Sequence, residues 1–102
     1  MTHPSKVKGN NYERELVNQA KDQGLISERA YASNGRALGE CEEVDLIVSG
    51  CRIQAKRRKH LPAYLALNDG VDAVTFRQDN DKTLVLIRWQ DFLDIIKEKG
   101  GW

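Results

Sequence analysis

Two short runs, Val44-Asp45-Leu46-Ile47-Val48 and Cys51-Arg52-Ile53-Gln54-Ala55-Lys56, are separated only by Ser49-Gly50. The first is rich in β-branched residues and both suit extended backbone, so the sequence predicts a β-hairpin closed by a two-residue turn. Such a turn sets Val48 against Cys51. Counting outward then opposes Asp45 to Gln54 on one face of the sheet, with Lys56 two residues further along that face. A three-residue turn would oppose Asp45 to Ala55 and scatter the polar groups, so the cluster depends on register. Aspartate is depleted in strands, which favours a functional over a structural role for Asp45.

Around this hairpin the other elements follow from periodicity. From Asn10 to Gly24, Tyr12, Leu16, Val17 and Ala20 recur at helical spacing, and Gly24 supplies a stop. Glu13 falls near the middle of that apolar arc, a carboxylate aimed at the protein body, while Arg14 and Glu15 point away. Glu28 to Ala32 suits a short strand, and Ser33-Asn34-Gly35 opens a mobile loop running through Gly39. Leu61 to Asn68 reads as a short helix with Pro62 in its first turn and Gly70 beyond its end. Ala73 to Gln78 and Thr83 to Trp89 read as strands joined by a polar turn, and Asp91 to Lys99 as a helix ending at Gly100. The order is that of an α/β or α+β domain with a central mixed sheet flanked by helices.

A chain of 102 residues is expected to form a single domain over residues 1–102, since a second core needs about 50 more. The 40% apolar and 30% charged fractions are those of a folded globular protein rather than a disordered or fibrous one. No apolar run is long enough for a membrane span, and Met1 to Lys8 is polar and basic, so a cytoplasmic protein with no membrane partner is expected. Cys41 and Cys51 read as free thiols, and neither they nor His3 and His60 show zinc-ligand spacing. A net charge of +1 says little; its distribution says more. Glu40, Glu42, Glu43 and Asp45 form an acidic block, followed by the basic run from Lys56 to His60.

The two blocks must have different partners, and the residues around Asp45 and Lys56 suit the hydrolysis of a phosphodiester. That reaction needs a cation to neutralise charge at phosphorus, a deprotonated water, and protection of the leaving oxygen. Mg²⁺ takes hard oxygen ligands, with Mn²⁺ as a substitute, and one to three protein oxygens beside a lysine make a minimal site. Asp45, Gln54 and the Ala55 carbonyl supply such oxygens, Glu13 completes the shell directly or through water, and Lys56 faces the attacking water or the phosphate.

The segment Lys8-Gly9-Asn10-Asn11-Tyr12-Glu13-Arg14-Glu15-Leu16-Val17 resembles the first helix of archaeal-type Holliday junction resolvases, members of the PD-(D/E)XK nuclease superfamily. Glu43-Val44-Asp45-Leu46-Ile47 resembles that family's metal-binding strand, and Ile53-Gln54-Ala55-Lys56 its E-x-K strand. The resemblance covers roughly the first 60 residues in detail and the rest only in element order. It implies a restriction-endonuclease-like fold, with Glu13 as the helix acid, Asp45 as the main metal ligand and Lys56 as the catalytic lysine. It also implies a homodimer acting on four-way junctions in DNA recombination and repair in a prokaryote, while so compact a chain would also suit a phage gene. Lys8, Arg14, Arg29 and Ser33 become candidate DNA contacts, together with Arg57, Arg58 and Lys59. Gln54 stands where glutamate is usual, and its Q-x-K pattern resembles that of Mrr-type restriction nucleases. A neutral amide still offers a carbonyl oxygen but removes a negative charge from the cation site.

Plainer roles exist for each residue. A glutamate near a helix start more often caps or salt-bridges its helix, a strand-end lysine is usually solvated, and most basic runs are solvated turns. Two alternatives to a junction resolvase stand beside it: a related nuclease nicking or cutting ordinary duplex DNA, and a non-catalytic junction-binding module.

Overall fold

The computed structural model describes the backbone of residues 4–30 and 42–102, with side chains from Val7 onward. The chain divides into two compact units, residues 1–57 with 96–102, and residues 58–95.

In the first unit, α1 (Pro4–Asp22) packs on a three-stranded antiparallel sheet of β1 (Ser27–Arg29), β2 (Leu46–Val48) and β3 (Cys51–Ile53), in the order β1-β2-β3. Helix α1 starts six residues before the expected Asn10. Apolar periodicity marks burial rather than helicity, and the polar first turns bury nothing for it to report. Pro4 is tolerated at the first helical position because the N–H it lacks would be unbonded there. Glu13, Leu16, Val17 and Ala20 form the buried stripe, at spacings of three and four residues. The helix ends as Gly24, at φ 83°, directs its N–H to the Lys21 carbonyl while Leu25 bonds that of Ala20. This is the 5→2 and 6→1 pairing of a Schellman cap.

The β2–β3 register pairs Val48 with Cys51, Ile47 with Arg52 and Leu46 with Ile53. Ser49 and Gly50 both have positive φ, 46° and 91°, the signature of a type I′ turn, whose twist matches that of the strands. Leu46, Val48 and Cys51 are buried, and alternation puts Ile47 and Arg52 on the opposite face with Glu28 of β1. The strands are shorter than expected: β1 occupies Ser27–Arg29 rather than beginning at Glu28, β2 begins at Leu46, and β3 ends at Ile53. The Ser33–Gly39 loop lies outside the described residues.

In the second unit, β4 (Ala73–Phe76) and β5 (Leu84–Ile87) form a separate antiparallel pair. The expected helix from Leu61 to Asn68 is only a single 3-10 turn, Ala63–Leu65, flanked by extended Pro62 and Ala66. None of its residues is buried, and so short a segment does not hold a helix without packing. Arg88 steadies the following bend by donating to the carbonyls of Asn68 and Val71, at 3.0 and 2.9 Å. Helix α2 (Trp89–Lys99) begins at Trp89, which the sequence had placed in a strand; Trp89 stacks on Phe92 at 5.4 Å between ring centroids. Gly100, at φ 89°, ends α2, and the division between the units falls inside this helix.

The chain is thus mixed α+β, with two helices and two small antiparallel sheets among its described residues. Among the described residues the strands pair only antiparallel, in two separate sheets, where the sequence led us to expect one central mixed sheet. Periodicity identifies strands but not which strand they join, since pairing is settled by contacts distant in sequence. No helix among the described residues is long and apolar enough to cross a membrane.

Candidate active site

Glu13, Asp45, Gln54, Ala55 and Lys56 all belong to the first unit. Glu13 is 5% exposed, on the stripe by which α1 meets the sheet. Its Oε2 accepts from Arg29 Nη2 at 3.3 Å, and the same nitrogen donates to Asn10 Oδ1 at 3.2 Å. The plainer role for this glutamate, an ion pair, is therefore present, but it ties helix to sheet rather than capping the helix. Arg29 stands opposite Leu46 in the β1–β2 ladder, and its Nε is buried without a hydrogen-bond partner among the described residues.

Asp45 lies one residue before β2 and is half-buried. Its carbonyl accepts from Ala30 N–H and its N–H donates to Ile53 O, each at 2.8 Å. Asp45 and Leu46 thus both face Ile53, as in a β-bulge, and the regular ladder stops before the expected Asp45–Gln54 pair. The side chain takes over from the main chain: Asp45 Oδ2 accepts the Ala55 N–H at 2.7 Å. Asp45 accepts no other side-chain hydrogen bond among the described residues, which leaves Oδ1 open there. Gln54 and Lys56, on either side of Ala55, are exposed.

Among the described residues no three His, Cys, Asp or Glu side chains gather into a group that could hold a metal ion. The candidate set has a different make-up, two carboxylates with an amide oxygen and a backbone carbonyl. All four are hard oxygens of the kind Mg²⁺ takes, so the donor chemistry fits that ion.

Of the candidate DNA contacts, Lys8 and Arg14 are exposed on α1, and Arg57, Arg58 and Lys59 are exposed in the coil after β3. None of these five forms an ion pair among the described residues. Ser33 lies outside the described residues. Arg14 and Arg29 share an open cleft of about 320 Å³ with Lys21. Lys21 was missed from sequence, although seven residues from Arg14 on one helix is two turns, which sets both on one side of it. Cys51 is a buried free thiol, and burial pushes its pKa up against the partial opposing pull of Arg52. Cys41 lies outside the described residues.

Compared with family models, curated proteins and solved structures, the chain gives no match.

Proposed function

We propose that this chain is a metal-dependent nuclease of the PD-(D/E)XK class, with a restriction-endonuclease-like fold. Its particular activity, on this reading, is the cleavage of Holliday junctions or other branched DNA by a homodimer in the cytoplasm of a prokaryotic or phage-infected cell.

The observation that carries the reading is the Asp45–Ala55 hydrogen bond. It brings the aspartate of one motif against the x position of the Q-x-K motif. Held by Ala55, the Asp45 carboxylate is oriented with Oδ1 left for a cation, and Gln54 and the Ala55 carbonyl add neutral oxygens. Bound Mg²⁺ supplies the positive charge that hydrolysis requires at phosphorus. Lys56, exposed and unpaired among the described residues, offers a second positive charge to the phosphate or the attacking water. Arg57, Arg58 and Lys59 continue that charge along the DNA backbone.

A second reading, a junction-binding module with a weakened site, is favoured by Gln54 alone. The deciding experiment incubates the chain with a synthetic four-way junction, and with linear duplex of the same sequence, in Mg²⁺, Mn²⁺ or EDTA. Junction cleavage is expected with either metal and none with EDTA. Asp45→Asn, which keeps an oxygen for the Ala55 N–H, is expected to lower the rate by about 10²- to 10³-fold with DNA binding intact or stronger. Equal cutting of duplex moves the assignment to a duplex nuclease. Junction binding without cleavage in either metal ends the enzymatic reading.

A further inference from the structure

The second unit contains an open cleft of about 530 Å³. Phe76 and Leu84 stand directly opposite each other in the β4–β5 pair and so share one face. Tyr64, presented by the 3-10 turn, meets Phe76 at 6.4 Å between ring centroids and an interplanar angle of 55°. Tyr64 is 66% and Leu84 55% exposed, so an aromatic and aliphatic surface faces solvent. Arg77, just beyond β4, and Lys82, in the turn before β5, line the same cleft. Neither cation forms an ion pair among the described residues. Asp81, the acid of the lining, has Oδ1 occupied by the Lys82 N–H at 2.7 Å.

An exposed ring on a small hairpin is common and by itself suits any apolar ligand. Two cations beside it, neither in an ion pair among the described residues, favour an apolar-faced group attached to anions. We infer that this cleft stacks an unpaired base of single-stranded DNA on Tyr64, with Arg77 and Lys82 holding the flanking phosphates. Stacking tolerates any sequence because every base has a π face, and the cations track the backbone. The choice of DNA rests on the nuclease reading, in which a branch point offers unpaired bases; the stacking chemistry does not involve the metal site.

The test measures fluorescence anisotropy of a short labelled oligothymidylate with the full chain in EDTA, beside an abasic oligomer of equal length. Tyr64→Ala is expected to weaken binding about 5- to 150-fold, the span of one lost base stack. Tyr64→Phe keeps the ring and should stay within about twofold, whereas Tyr64→Leu keeps apolar area without a π face and should be as weak as Tyr64→Ala. The abasic oligomer should bind the native chain no better than oligothymidylate binds Tyr64→Ala. Arg77→Gln with Lys82→Gln should lower the slope of log affinity against log salt by about 1.4, two single-strand phosphate contacts. Circular dichroism checks that each variant is folded. Full affinity in Tyr64→Ala or Tyr64→Leu, equal binding of the abasic oligomer, or an unchanged salt slope overturns the proposal. Asp45→Asn separates the two readings, since it should lose cleavage yet bind oligothymidylate normally. A Tyr64-dependent oligomer complex in a chain that cuts no DNA leaves the stacking site standing and removes the nuclease.

Discussion

Arg29 of β1 donates to the buried carboxylate of Glu13 on α1 at 3.3 Å, linking helix to sheet at the stripe where they pack. With side-chain exposures of 22% and 6%, the pair is shielded enough for its loss to leave a poorly solvated charge behind.

Glu13→Ala is therefore expected to destabilise the chain by about 1–3 kcal/mol, the cost of removing the carboxylate partner of a part-buried guanidinium that keeps, among the described residues, only its bond to Asn10. Arg29→Ala should cost a similar amount, and the double substitution less than the sum, with a coupling of about 0.5–3 kcal/mol. Urea unfolding of the four proteins checks this. Additive losses would show that the two residues act independently.

Gln54 separates chemistry from resemblance. If its amide oxygen binds the cation, Gln54→Glu adds an anionic oxygen in nearly the same geometry, and half-maximal cleavage should occur at about tenfold lower Mg²⁺, or ~1.4 kcal/mol. Gln54→Leu removes the oxygen at similar volume and should raise the metal requirement at least as far. Because Gln54 is exposed, thermal melts of the three should nearly coincide. Superimposable metal titrations would remove Gln54 from the site.

Replacing both Arg57 and Arg58 with alanine should weaken binding to branched and linear duplex DNA alike. Each lost phosphate contact lowers the slope of log affinity against log salt by about 0.9, so binding isotherms at several salt concentrations should show a drop of about 1.8. An unchanged slope returns the run to a solvated turn.

Burial holds the Cys51 thiol above its ordinary value of 9.0. An acid whose folded pKa is raised binds its proton more tightly when folded, so its contribution is full below the unfolded pKa and is lost as pH rises above it. In a Cys41→Ser background, stability should fall with pH above about 9, and Cys51→Ala should remove part of that fall. Chemical unfolding across that range checks it. Identical alkaline profiles would mean that the thiol titrates alike in both states.

Local chemistry alone determined a good deal of this protein. Only two residues separate the β2 and β3 runs, and Ser49-Gly50 accepts the positive φ of a type I′ turn, so the Val48–Cys51 register was legible. Helical spacing likewise placed Glu13 inside, and two glycines marked the ends of α1 and α2. Tertiary structure decided what those residues meet. Nothing near Glu13 in sequence announces Arg29, sixteen residues on, nor could spacing foresee that a bulge at Asp45 would replace the Asp45–Gln54 pair with a bond to Ala55. The helical pattern of Leu61 to Asn68 came to one turn because none of its residues is buried there, and the strands sorted into two sheets rather than one. Periodicity records which face of a segment is apolar, whereas partner, register beyond a turn and sheet membership depend on surfaces that meet only once the chain has folded.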